Sequence, residues 1–221
     1  MDKFKFDPGG FMICKSRRFM FVVIAKNAST SLKRLVHSLD YPGQEPLFDT
    51  EAIHEFFGYS LDGKTRIPLI SNERPATHEY TRFAVYRDPV ERFLSVYNDK
   101  VSPARSAGKA VRKYFASCGV IDSDIDTFLC FTENELQKSD PLLQDEHLRP
   151  QSSFYEPENV DWVVPIESLD SFLMKHLDID TGSRYNKSGQ TTHLTEAQLN
   201  ILNTLYKDDY DILKAENFYK P

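Results

Sequence analysis

The chain has 221 residues, a formal net charge of −6, 40% hydrophobic and 27% charged residues. These values suit one globular domain spanning residues 1–221 with a core of its own, and they exclude a general nucleic-acid binder. The three cysteines, Cys14, Cys118 and Cys130, form no CxxC pair, which argues against a zinc knuckle or redox motif and fits reduced thiols in a cytoplasmic protein.

The stretch up to Arg18 lacks the apolar core of a signal peptide. Residues 19–25 form a continuous apolar run, far too short to cross a bilayer. Its length and β-branched content predict a strand buried on both faces, as in a parallel sheet. A polar turn follows over residues 26–31. Leu32, Leu35, Val36 and Leu39 then recur at helical spacing, with Ser29 or Thr30 expected as the N-cap. Residues 41–80 are less regular and carry a short helix near residues 50–57. A second strand is expected at residues 81–86, and Pro89 sits well at a helix start. Residues 111–116 and 125–131 read as helices, residues 161–166 as a short buried strand, and residues 167–177 and 195–206 as amphipathic helices. Strands alternating with helices predict a three-layer α/β fold, a mainly parallel central sheet flanked by helices.

Two constellations carry chemistry. The first is Lys26-Asn27-Ala28-Ser29-Thr30-Ser31, where a strand runs through a short loop into a helix. Free amides and the dipole at a helix start favour an anion. The hydroxyls add donors and Lys26 adds a positive charge. No glycine occurs in this loop, so it is not the GxxxxGK[ST] motif of triphosphate-binding proteins, and it suits a smaller load such as a 5′-phosphosulfate. The competing reading is a polar turn with a good cap. The second is RDPVERFLSVYNDK, residues 87–100. Arg87 follows a predicted strand and can grip a phosphate with two parallel hydrogen bonds. Ser95 lies about two helical turns further on. The competing reading is an Arg87–Asp88 turn with a solvated Arg92.

These segments resemble the carbohydrate sulfotransferase family that includes the chondroitin 4-O and HNK-1 sulfotransferases and related bacterial proteins. KNASTSLKRLV is similar to that family's 5′-phosphosulfate loop, PKVACTNWKRVL. FAVYRDPVERFLSVYNDK is similar to its 3′-phosphate motif, FVRDPFERLVSAYRDK. DEHLRPQ, VDWVVPIESLDSFL, Asn186-Lys187-Ser188 and LYKDDYDIL resemble further family segments, in the family's order. Ala25 replaces the usual proline before the loop lysine, and Leu148 replaces a tryptophan.

The resemblance implies a P-loop-like fold and in-line transfer of a sulfuryl group from 3′-phosphoadenosine 5′-phosphosulfate (PAPS) to a hydroxyl, expected on a carbohydrate, with no metal. It implies that Lys26 stabilises the leaving phosphate and that Asn27, Ala28, Ser29, Thr30 and Ser31 hold the 5′-phosphosulfate. Arg87 and Ser95 would hold the 3′-phosphate, and Lys187 and Ser188 would close over the nucleotide. A general base is needed for the acceptor, and histidine suits neutral pH. Of six histidines, His54 and His147 rank above His78, while His37 and His176 read as structural or solvated. Glu55 or Glu146 could serve in place of a histidine if its pKa were raised. The basic residues Arg105, Lys109, Arg112 and Lys113 could meet an anionic glycan or simply form a solvated face. Two other functions fit parts of the pattern: a nucleotide-dependent phosphotransferase of P-loop type, and a non-catalytic sulfotransferase-like binding module.

Overall fold

The computed structural model describes residues 10–48, 52–53, 56–57, 79–101, 109–117, 124–155, 159–181 and 192–220. In chain order its elements are β1 (Phe11–Cys14), β2 (Phe19–Val22), α1 (Ser29–Asp40), β3 (Thr81–Tyr86), α2 (Pro89–Lys100), α3 (Lys109–Ser117), α4 (Ile125–Leu136), β4 (Trp162–Pro165), α5 (Leu169–Leu177), α6 (Glu196–Leu205) and α7 (Lys207–Asp211). The chain gathers into two compact units, each built from separated stretches.

The first unit draws on residues 1–86, 154–185 and 214–221. Its sheet has the order β1-β2-β3-β4, with β1 antiparallel to β2 and the rest parallel. This is the α/β architecture with a mainly parallel sheet that the sequence predicts. All four positions of β2 are buried, as a strand covered on both faces requires. On one face Met12, Cys14, Phe19, Phe21, Phe83, Val85 and Val164 share a core with Leu32 and Val36 of α1 and Leu169, Phe172 and Leu173 of α5. The predicted strand at residues 81–86 matches β3. The apolar run at 19–25 is strand only to Val22, and its last residues lead into the loop, with the Val23 amide donating to the Gly10 carbonyl at 3.1 Å.

Strand β1 was not expected from the sequence. It is four residues long and alternates half-buried with buried positions. Asp40, at the end of α1, secures the turn that joins it to β2 by accepting from the Lys15 and Ser16 amides at 2.9 and 2.8 Å. Burial pushes the nearby Cys14 thiol up to about 11, so it stays protonated. At the other edge, the Val163 amide donates to Asn217 and the Tyr219 amide donates to Val163, at 3.0 and 2.8 Å.

The second unit draws on residues 87–153 and 186–213 and, among its described residues, is helical. Phe93 and Val96 of α2, Phe115 of α3, Phe128, Leu129 and Phe131 of α4, and Leu202 of α6 build its core with Leu148 and Tyr206. Pro89 is the first residue of α2, as expected, and Asp88 caps it by accepting from the Glu91 amide at 3.0 Å. Thr195 and Gln198 form a capping box on α6, and Gln198 Nε2 donates to Asp126 of α4 at 2.6 Å. Among the described residues no helix is long and apolar enough to cross a membrane.

Candidate active site

In the first unit, β2 and β3 are parallel neighbours, so their C-terminal ends share one edge of the sheet. Open α/β sheets bind ligands beyond that edge. There β2 leads into the loop that carries Lys26, and β3 ends at Tyr86, the residue before Arg87.

The loop has an unusual backbone. Lys26 and Ala28 are both left-handed, with φ of 69° and 59°. For an L-residue that costs roughly 1–2 kcal/mol each. Left-handed residues alternating with an ordinary one turn successive N–H groups toward one concave side, a cradle for an anion. Ala28 is the N-cap of α1 and no side chain caps the helix. The expected cap at Ser29 or Thr30 is therefore corrected. The left-handed Ala28 starts the helix earlier, and the first helical bond runs from the Leu32 amide to the Ala28 carbonyl at 2.9 Å. Ser29, Thr30 and Ser31 fall in the first turn, where amides lack intrahelical acceptors. No acidic residue stands in that turn, so the positive end of the helix dipole is left for a bound anion.

Asn27 lies between the two left-handed residues and is buried. Its Nδ2 donates to the Val85 carbonyl of β3 at 2.6 Å, and its amide donates to Ile24 at 3.2 Å. The side chain holds the loop to the sheet rather than facing outward. Lys26 is half-buried.

In the second unit, Arg87 stands between β3 and the cap of α2. Its Nε lies 3.8 Å from Glu91 Oε2. Ser95 is one turn beyond Glu91 on the same helix, so it shares a helix face with Glu91. Burial lowers the Arg87 pKa, opposed by Glu91 and Asp88, and the guanidinium remains cationic. The Arg87 backbone is gripped by one side chain. Its amide donates to Gln151 Oε1 at 3.0 Å, and its carbonyl accepts from Gln151 Nε2 at 2.8 Å.

Arg92 is not solvated. It is 2% exposed, and its guanidinium donates to the Arg149 and Glu146 carbonyls at 2.9 and 3.2 Å. The solvated reading fails because those acceptors lie 57 and 54 residues away in sequence. Burial lowers its pKa, with Tyr206, Asp209 and Asp145 opposing the shift.

His147 Nδ1 lies 3.0 Å from Asp145 Oδ1, and the His147 amide donates to the same oxygen at 2.8 Å. A carboxylate at Nδ1 holds the proton there and leaves Nε2 as the accepting nitrogen, the tautomer a general base needs. The ring is about a quarter exposed, 24%. His37 is buried among aromatic rings, edge-on to Phe56 and stacked on Tyr41. His176 packs against Trp162, Phe172 and Tyr219. His54, Glu55, His78, Arg105, Lys187 and Ser188, and the side chains of Lys109 and Arg112, lie outside the described residues.

Sequence reasoning assigns no chemistry to Arg92, Gln151 or Asp209. The latter two fall in DEHLRPQ and LYKDDYDIL, so the available signal was that these segments match a family pattern without any evident chemistry of their own.

Each group by itself suits an anion: the loop offers amides with no acidic residue in the first turn of α1, and Arg87 offers a half-buried guanidinium. A model of the sulfotransferase family matches residues 9–214. No curated protein and no solved structure matches the chain. The family uses PAPS as its sulfuryl donor. The family match spans nearly the whole chain, both described units included, and on that ground the chain belongs to the sulfotransferase family and is a PAPS-dependent sulfotransferase.

Proposed function

We propose that the chain is a carbohydrate sulfotransferase of the chondroitin 4-O and HNK-1-like type, acting as a single catalytic domain on a sugar hydroxyl. The observation that carries the donor reading is the glycine-free loop with left-handed Lys26 and Ala28 ahead of an acid-free helix start. The sugar acceptor rests on the order of the family-like segments along the chain.

PAPS supplies an activated sulfuryl group. The amides and hydroxyls of Ser29, Thr30 and Ser31, with the backbone at Ala28, hold the 5′-phosphosulfate. Asn27 keeps that loop on the sheet. Lys26 places positive charge against the leaving phosphate, where stabilisation of developing charge counts most. Arg87 and Ser95 take the 3′-phosphate. His147, oriented by Asp145, accepts the proton of the acceptor hydroxyl through Nε2; His54 is the other candidate for that proton.

Calorimetric titration with 3′-phosphoadenosine 5′-phosphate, beside 5′-AMP and ATP with magnesium, tests the donor reading. The bisphosphate should bind most tightly, and Arg87→Ala should remove that advantage. Lys26→Ala should slow transfer from labelled PAPS by about 10²–10³-fold. Tight binding of magnesium ATP with no binding of the bisphosphate overturns the reading in favour of phosphoryl transfer. A panel of sugars and non-carbohydrate alcohols tests the acceptor, and label appearing only on the latter excludes a carbohydrate.

A further inference from the structure

We propose that Gln151 and Asp209 are positioning residues for Arg87, and that this buried pair sets the enzyme's preference for a donor bearing a 3′-phosphate. The inference rests on the reading of Arg87 as the ligand of that phosphate.

Arg87 lies between regular elements. It follows the last residue of β3, and the carbonyl that accepts the first bond of α2 belongs to Asp88, bonded to the Arg92 amide at 2.8 Å. The Gln151 side chain bonds both Arg87 peptide groups, as an acceptor for the amide and a donor for the carbonyl. Two bonds from one planar amide restrict rotation on both sides of the Arg87 Cα, which sets where its side chain starts.

Gln151 is itself fixed. It is 0% exposed, and Asp209 Oδ2 accepts from its backbone amide at 2.9 Å and from its Nε2 at 3.2 Å. The other Asp209 oxygen accepts from the Ser152 amide at 2.8 Å. Asp209 is also 0% exposed, and a buried carboxylate is tolerated when donors surround it in this way. Its acceptance from Nε2 fixes the flip of the Gln151 amide, so Oε1 must face the Arg87 amide. Nearby, Tyr206 donates to the Leu148 carbonyl at 2.8 Å, and Arg92 donates to Glu146 and Arg149. Three sequence segments, around residues 87–92, 145–152 and 206–209, thus meet in one polar network with Arg87 at its edge. A guanidinium that must meet a phosphate with two parallel bonds is sensitive to its angle of approach.

The test measures the ratio of affinities for 3′-phosphoadenosine 5′-phosphate and 5′-AMP, in the full chain, for wild type, Gln151→Met, Asp209→Asn and Arg87→Ala. Gln151→Met keeps length and volume but loses both bonds to Arg87. It should lower the ratio about tenfold, as expected for a misaimed contact, and leave 5′-AMP affinity within about twofold. Asp209→Asn should lower the ratio by a smaller factor, and it carries the test alone if Gln151→Met does not fold. Added to Arg87→Ala, Gln151→Met should change the ratio no further, because the group it aims is gone. An unchanged ratio in both positioning variants while Arg87→Ala collapses it overturns the inference. Equal weakening of both ligands also overturns it, since that marks a general structural role. An unchanged ratio in Arg87→Ala refutes the 3′-phosphate reading itself, and the inference falls with it.

Discussion

The two units present the groups proposed to bind anions by opposite means. The loop of the first unit relies on backbone: left-handed Lys26 and Ala28, and an uncapped helix start. The arginine of the second unit relies on side chains, with Gln151 bonding its peptide groups, Asp209 bonding Gln151, and Arg92 buried against the Arg149 and Glu146 carbonyls. A backbone cradle is stored as local strain and tolerates many side-chain changes. A side-chain network concentrates its dependence in a few buried polar residues and is brittle when one is lost.

The largest expected effect tests that brittleness. Arg92→Met keeps an unbranched chain but leaves the Arg149 and Glu146 carbonyls without their donor. It should destabilise the protein by about 3 kcal/mol, read as the shift in a urea midpoint. A change below about 1 kcal/mol would show that the second unit does not depend on this network and would erase the contrast.

Asn27→Ala tests the other side. The Val85 carbonyl loses the donor that ties the loop to β3, at a cost of about 2 kcal/mol. Stability should fall while 5′-AMP affinity falls only a few-fold, because the left-handed residues still shape the cradle. Complete loss of binding in a folded variant would make the first unit as dependent on side chains as the second.

The first unit also has an alkaline signature. Burial raises the Cys14 thiol from its ordinary value of 9.0 to about 11. The protonated thiol is thus favoured in the folded state. That contribution is full below pH 9 and lost as pH rises through about 11. Its size is of order 2 kcal/mol at most, discounted for incomplete burial of the surroundings. Denaturation midpoints across pH 8–11 should show a decline that Cys14→Ala flattens.

Ala28→Gly carries the smallest effect. Glycine adopts φ near 60° without penalty but has more freedom to lose on folding. The variant should gain up to about 1 kcal/mol in thermal or urea unfolding, with donor binding retained. A loss of stability would mean that the left-handed backbone at 28 is not a strained state.

The same contrast governs what could be read from the sequence. Lys26 and its hydroxyl-rich loop announce themselves locally, because a strand, a turn and a helix occur in one short stretch. Arg87 does so too, following an apolar strand and preceding proline. β3 was legible to the residue because its apolar run is bounded by charge and proline. β1 was not, since four alternating residues at a sheet edge carry little periodic signal. Asp88 and Thr195 act as caps through side chains of the usual type, whereas Ala28 does so through φ alone, which no residue-type rule reports. Gln151 and Asp209 were out of reach, because their work depends on contacts spanning 64 and 58 residues.

Those separations also set an order of assembly. While the chain is being synthesised, Arg87 emerges long before Gln151, and Gln151 long before Asp209. The edge of β4 likewise waits for residues 217–219. The geometry proposed for Arg87 therefore arises only once residue 209 has been made, and a nascent chain stalled before it carries the arginine without its aim. Such late, long-range closure predicts slow maturation compared with a helical protein of local contacts. Nucleotide that relies on Arg87 should then be captured only after residue 209 has emerged, rather than serving as a template for folding before it.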